Sequence, residues 1–179
     1  DWSDGGSPPA EMAWTAREIG HDYLVLTDHS PRLTVANGLS PARLRRQLDV
    51  VAEINAVLGP DFRLLTGIEV DINEDGTLDQ EDELLERLDV VVASVHSKLR
   101  SPSSVMTPRM LAAIRNPHVD VLGHCTGRMV MPRRERGPRT RPPSEFDAEA
   151  VFAACAEEGV AVEINSRPER LDPPRPLLR

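Results

Sequence analysis

The chain has only two cysteines, Cys125 and Cys155, in 179 residues. That is too few for a disulfide framework, and neither has a second Cys at metal-binding spacing, so a reducing, cytoplasmic setting is the expectation. Aromatic residues make up 3%, which leaves few platforms on which single-stranded bases could stack. No apolar run approaches the roughly 20 residues that span a bilayer, so no membrane partner is expected. Positive charge is in the minority: 21 Lys and Arg stand against 29 Asp and Glu, a formal net charge of −8. Coating nucleic acid takes clustered cations, so no extended nucleic-acid-binding surface is expected. A site acting on a single phosphate end is not excluded, because bound divalent cations reverse the local sign.

With 40% hydrophobic and 28% charged residues, the chain reads as one globular domain. Its organising feature is a repeated unit. Five short apolar runs rich in β-branched residues end in polar ones: Leu24 to Asp28 tipped by His29, Leu64 to Val70 carrying Glu69 and followed by Asp71, Val91 to Val95 ending at His96, Val119 to Gly123 ending at His124, and Val160 to Asn165 with Glu163. Helical patterns lie between them. Met12, Ala13, Ala16 and Ile19 share one helical face behind a candidate cap at Ser7, and Leu44, Leu48, Val51, Ile54 and Leu58 share another. Thr107-Pro108 reads as the start of a helix through Ile114, and Ser144 with Asp147 resembles a capping box for a helix over 148–158. Strand, polar tip and helix in alternation predict a parallel α/β barrel or sheet, in which function gathers at the carboxyl ends of the strands.

His29, Glu69, His96 and His124 stand at four such tips. A single histidine is more often a hydrogen-bonded core or surface residue. The same arrangement at four strand ends favours a shared metal, because neutral imidazole and carboxylate are donors that zinc and related ions accept. His21 and His118 precede strands and are read as structural or solvent-exposed. Asp28 is expected to orient a ligand, and Asp71 is as well suited to a cap or loop as to the site. Cys125 is expected to be an inert, partly buried thiol. The acidic stretch 71–82 does not match the calcium-loop spacing and reads as a solvated loop. Residues 128–143 hold Arg128, Arg133, Arg134, Arg136, Arg139 and Arg141 among four prolines and read as an exposed loop able to meet phosphate through forked hydrogen bonds.

Six segments in order resemble motifs of the polymerase and histidinol phosphatase (PHP) superfamily, and within it the PHP domains of bacterial family X DNA polymerases and their stand-alone relatives. They are Asp1-Trp-Ser-Asp-Gly5, Leu26-Thr-Asp-His-Ser30, Gly67-Ile-Glu-Val-Asp71, Ser94-Val-His-Ser97, Leu122-Gly-His-Cys-Thr-Gly-Arg128, and Val162-Glu-Ile-Asn165 with Pro168-Glu-Arg-Leu-Asp172. The resemblance implies a distorted seven-stranded β/α barrel with two or three divalent ions of zinc, manganese or iron. It also implies that Glu69 bridges metals, that His96 and His124 serve one of them, and that His29, with Asp4 near it, serves another. Asn165, Arg128, Lys98 and Arg170 sit where substrate-positioning groups would be plausible in that family.

Family members open on a His-x-His in the first strand and close on an Asp-x-His in the last, and neither pair is in this sequence. The expectation is therefore a fragment of a longer protein, one domain over 1–179 with five of seven barrel strands, in which the site of Glu69, His96 and His124 alone keeps a full set of protein ligands. The activity implied is metal-dependent phosphoester hydrolysis, histidinol-phosphatase-like or 3'-5' exonuclease-like, on a small phosphate ester or a nucleic-acid 3' end. A non-catalytic PHP module with a structural or vestigial metal is the alternative. An amidohydrolase-like C–N hydrolase is weaker, because no Lys ends a strand and the nearest candidate, Lys98, lies two residues past His96.

Overall fold

The computed structural model describes residues 2–131 and 140–178. Arg133, Arg134, Arg136 and Arg139 of the basic stretch lie outside the described residues. In chain order the elements are α1 (Pro9–Glu18), β1 (Tyr23–His29), α2 (Pro41–Leu58), β2 (Arg63–Asp71), α3 (Asp82–Leu85), β3 (Val90–Ser94), α4 (Ser103–Ile114), β4 (Val121–Leu122), α5 (Ala148–Glu158) and β5 (Ala161–Val162). In the first of two units β1 is parallel to β2, and in the second β4 is parallel to β5. Helices joining successive parallel strands are what the alternating pattern predicts. No described helix is long and apolar enough to cross a membrane.

The chain's contacts group into two compact units, Asp1–Asp71 with Asp79–Val92, and Ile72–Leu78 with Ala93–Arg179. In the first, Ala13 and Ala16 of α1 and Val51, Ile54 and Leu58 of α2 pack with Phe62 and Leu64, and Leu24 and Leu26 of β1 lie against them. Small residues on α1 let the helix approach closely. Ser40 caps α2 by accepting from the Arg43 amide, and Gly59 (φ 79°) ends the helix. Asn55 on α2 then bonds both the amide and the carbonyl of Leu64, each at 2.8 Å, which fixes the register at which β2 enters the sheet. Gly67 is required inside β2: a Cβ there would lie 2.8 Å from Val25 Cγ1 and 2.9 Å from the Val90 carbonyl oxygen. It stands two residues before Glu69.

In the second unit, Met106, Met110, Ala113 and Ile114 of α4 and Val151, Ala154 and Cys155 of α5 are buried. Three local expectations are corrected here. Helix α4 begins at Ser103, with Pro108 inside it. Pro108 removes one backbone donor, but the buried Met106 to Ile114 stripe carries the helix through it, and the Thr107 hydroxyl accepts from the Asp147 amide instead of capping. Helix α5 is capped by Asp147 itself, which accepts from the Ala150 amide at 3.0 Å, while Ser144 donates to the Leu99 carbonyl. Helix α1 starts on Pro8 and Pro9 with no side-chain cap, since a proline at the first position has no amide to satisfy.

Candidate metal centre

In the first unit the site begins with register. Parallel pairing of β1 and β2 sets His29 opposite Glu69, and imidazole Nδ1 lies 3.6 Å from carboxylate Oε2. The other ring nitrogen, Nε2, lies 3.8 Å from Oδ1 of Asp4. Asp4 comes from the segment before α1, and that segment is strapped down by its neighbours. The buried Asp28 carboxylate accepts from the Ser3 amide at 2.8 Å and from the Ser3 hydroxyl, and its other oxygen accepts from Gln47 Nε2 at 2.6 Å. The Ser3 hydroxyl in turn accepts from the His29 amide at 3.3 Å. Arg43 donates to the carbonyls of Trp2, Asn37 and Gly38. Asp28 thus holds the segment that carries Asp4. Asp71 is buried, and its backbone amide donates to the Ser30 hydroxyl.

In the second unit, β3 ends at Ser94 and His96 follows two residues on. Its ring meets that of His124 edge-on, with centroids 5.1 Å apart and planes at 74°. His124 is buried, and its amide donates to Glu163 Oε2. Glu163 Oε1 accepts from Asn165 Nδ2 at 3.0 Å, so Asn165 supports the loop that bears His124. Arg128 donates from Nε to the Arg170 carbonyl at 3.0 Å and from Nη2 to that of Leu171. The fully buried Asp172 accepts from the amides of Thr126 and Arg128. Lys98 is exposed and sits in a left-handed turn (φ 53°).

Within the first unit His29 and Glu69 set an imidazole beside a carboxylate, and within the second the His96 ring stands against that of His124. Imidazole and carboxylate are donors that suit a first-row divalent ion. Both cysteines are free and buried. Burial, and then the carboxylate of Asp172, pushes Cys125 up to about 12, and burial takes Cys155 to about 11, so neither is a thiolate near neutral pH. The strand tips were visible in the sequence. The residues that set them were less so: Glu163 was visible as a strand-tip carboxylate, whereas Gln47 carried no signal at all.

A PHP domain model matches residues 1–167. The chain is 39% identical over 171 residues to a DNA polymerase/3'-5' exonuclease PolX of Bacillus subtilis (strain 168), covering 96% of this chain and 28% of that protein. It is 32% identical over 161 residues to a probable phosphatase of Thermoanaerobacter sp. (strain X514), covering 87% of this chain and 57% of that one. A probable phosphatase of Shewanella sp. (strain ANA-3) is 31% identical over 158 residues, 84% of this chain and 53% of the relative. The chain therefore spans less than two thirds of each of these relatives. A match over nearly its whole length, with the resembling motifs carried on the strand tips described above, leads to one conclusion: the chain belongs to the PHP domain family.

Proposed function

We propose that this chain carries a metal-dependent phosphoesterase centre that hydrolyses a phosphomonoester or the terminal phosphodiester of a nucleic acid. The observation that carries the reading is the His29–Glu69 pair, imidazole Nδ1 3.6 Å from carboxylate Oε2, in a chain of this family. A divalent ion of zinc, manganese or iron, or the two or three that the family resemblance implies, would polarise a phosphoryl oxygen and acidify a water near neutral pH. The remaining roles fall to the chain's own groups. Glu69 supplies the charge that balances a cation and, in this reading, bridges two. His124, edge-on to His96, and Asp4, beside His29, complete the donor set. Lys98 is the exposed cation two residues past His96 and holds the substrate phosphate. Arg128, with Asn165, shapes the rim through the carbonyl and carboxylate bonds each makes. In this reading the five strands belong to a β/α barrel, with the site at its carboxyl-end mouth.

The substrate classes follow from charge and from the relatives. A net charge of −8 disfavours a long duplex track and suits one phosphate group at a time. Relatives described as a polymerase with 3'-5' exonuclease and as probable phosphatases support both the terminal phosphodiester and the phosphomonoester. The test is hydrolysis of p-nitrophenyl phosphate and of an oligonucleotide 3' end, with added Mn²⁺ or Zn²⁺ and after chelation. Turnover is expected to need metal and to vanish in Glu69→Gln and His96→Ala. Wild-type turnover in those variants, with metal present, would overturn the reading and leave the non-catalytic module.

A further inference from the structure

Helix α4 carries one charged residue on its buried face. Met106, Met110 and Ala113 follow one another at helical spacing, and Arg109 falls among them with 4% of its surface exposed. A cation there is costly to desolvate unless its donors are met. Arg109 meets them with main-chain oxygens of two loops. Nε donates to the Asn73 carbonyl at 2.8 Å and Nη1 to the Ser97 carbonyl at 2.9 Å. Nη2 donates to the Ile72 carbonyl and, at 3.2 Å, to the Ser97 hydroxyl.

Those acceptors are not arbitrary. Ile72 and Asn73 follow Glu69 by three and four residues, and Ser97 directly follows His96. The Ile72 amide also donates to the Ser94 carbonyl at 2.8 Å. The turn from Ser94 to Ser97 is therefore held at both ends, by Ile72 before His96 and by Arg109 after it. A second observation puts the same loop hard against α4. Gly76, at φ 87°, leaves no room for a side chain, since a Cβ there would come within 2.5 Å of Ala112 Cβ and 3.0 Å of the Arg109 carbonyl.

We propose that Arg109 is a positioning residue for the metal centre: its planar fork locks the Ser94–Ser97 turn and so sets the direction in which His96 presents its imidazole. The inference rests on the reading of His96 as a metal ligand. Lysine cannot replace arginine here, because one ammonium with three donors cannot serve the four oxygens that the guanidinium meets.

The test compares wild type, Arg109→Lys and Ser97→Ala in the full chain, with three readouts: circular dichroism with thermal unfolding, amide hydrogen exchange in metal-free protein, and titration with Mn²⁺. Arg109→Lys is expected to keep its secondary structure, to exchange the amides of residues 95–98 about ten-fold faster, and to bind Mn²⁺ roughly 10- to 100-fold more weakly. A variant that loses thermal stability yet keeps wild-type exchange at 95–98 and wild-type Mn²⁺ affinity overturns the proposal. If Arg109→Lys does not fold, Ser97→Ala decides: it removes one of the four acceptors and should weaken Mn²⁺ binding about three-fold, and unchanged affinity overturns the proposal. Wild-type protein that binds no Mn²⁺ sinks the metal reading and the positioning role together, a pattern distinct from failure of the Arg109 arm alone.

Discussion

His29 and Glu69 are register partners on adjacent parallel strands, with imidazole Nδ1 3.6 Å from carboxylate Oε2. Backbone pairing fixes where the imidazole and the carboxylate leave the sheet. Replacing Glu69 by Gln keeps the shape and removes the charge, so the loss should fall on metal binding far more than on folding. Manganese at about 100 times its Kd should stabilise wild type by roughly 2.7 kcal/mol, a rise of roughly 5–10 °C in Tm for a chain of this size. Glu69→Gln should show a rise below about 2 °C, read by differential scanning calorimetry with and without metal. An equal rise in both proteins would remove Glu69 from the ligand set.

The Asp28 carboxylate is the anchor of the segment that carries Asp4, with donors from Ser3 and Gln47. Asp28→Asn leaves at least one of those donors facing an amide that cannot accept it, and should cost about 1–3 kcal/mol. Ser3→Ala removes the hydroxyl alone. It should leave urea stability within about 1 kcal/mol of wild type while lowering phosphoesterase turnover several-fold, because the strap on Asp4 loosens. Equal, proportionate losses of stability and turnover in both variants would mean that the strap serves the fold and not the site.

The strand tips were legible because a parallel sheet writes itself as apolar β-branched runs with polar residues at their carboxyl ends. His29, Glu69, His96 and His124 were read that way, and the Cys125 thiol was placed as inert from the absence of a partner. What escaped was the polar scaffolding. Asp28 reaches Gln47 across 19 residues and Arg109 reaches Ile72 across 37, and contacts of that range leave no local period. Helix α4 was misjudged for a different reason. Pro108 looked like a helix start, since proline is tolerated there, yet burial of Met106 and Met110 outweighs the hydrogen bond it removes.

Gly67 separates packing from chemistry. Alanine at this position would drive a methyl into Val25 and the Val90 carbonyl oxygen, and the backbone oxygen has little room to give. Overpacking of this kind costs about 1–3 kcal/mol, visible as a lower urea midpoint with an unchanged m-value. Because Glu69 lies two residues on, on the same face of β2, Gly67→Ala should also weaken Mn²⁺ binding. Full metal affinity in a destabilised Gly67→Ala protein would show that the β1–β2 spacing is looser than the site requires.

The two thiols give a pH prediction with a definite sign. Burial raises Cys125 from 9.0 to about 12, with Asp172 adding to the shift, and raises Cys155 from 9.0 to about 11. Each thiol ionises more easily in the unfolded chain than in the native one. Their contribution to stability is therefore whole below pH 9 and is lost as pH rises through 11 and 12. Urea midpoints should fall between pH 9 and pH 11, and replacing both cysteines by Ala should flatten that decline even if it lowers stability at pH 7. In native protein at pH 8, a thiolate-trapping reagent should modify both sulfurs orders of magnitude more slowly than in urea. Rapid labelling of Cys125 in the native state would mean that the pocket formed with Asp172 opens, and the alkaline decline would then have to come from other groups.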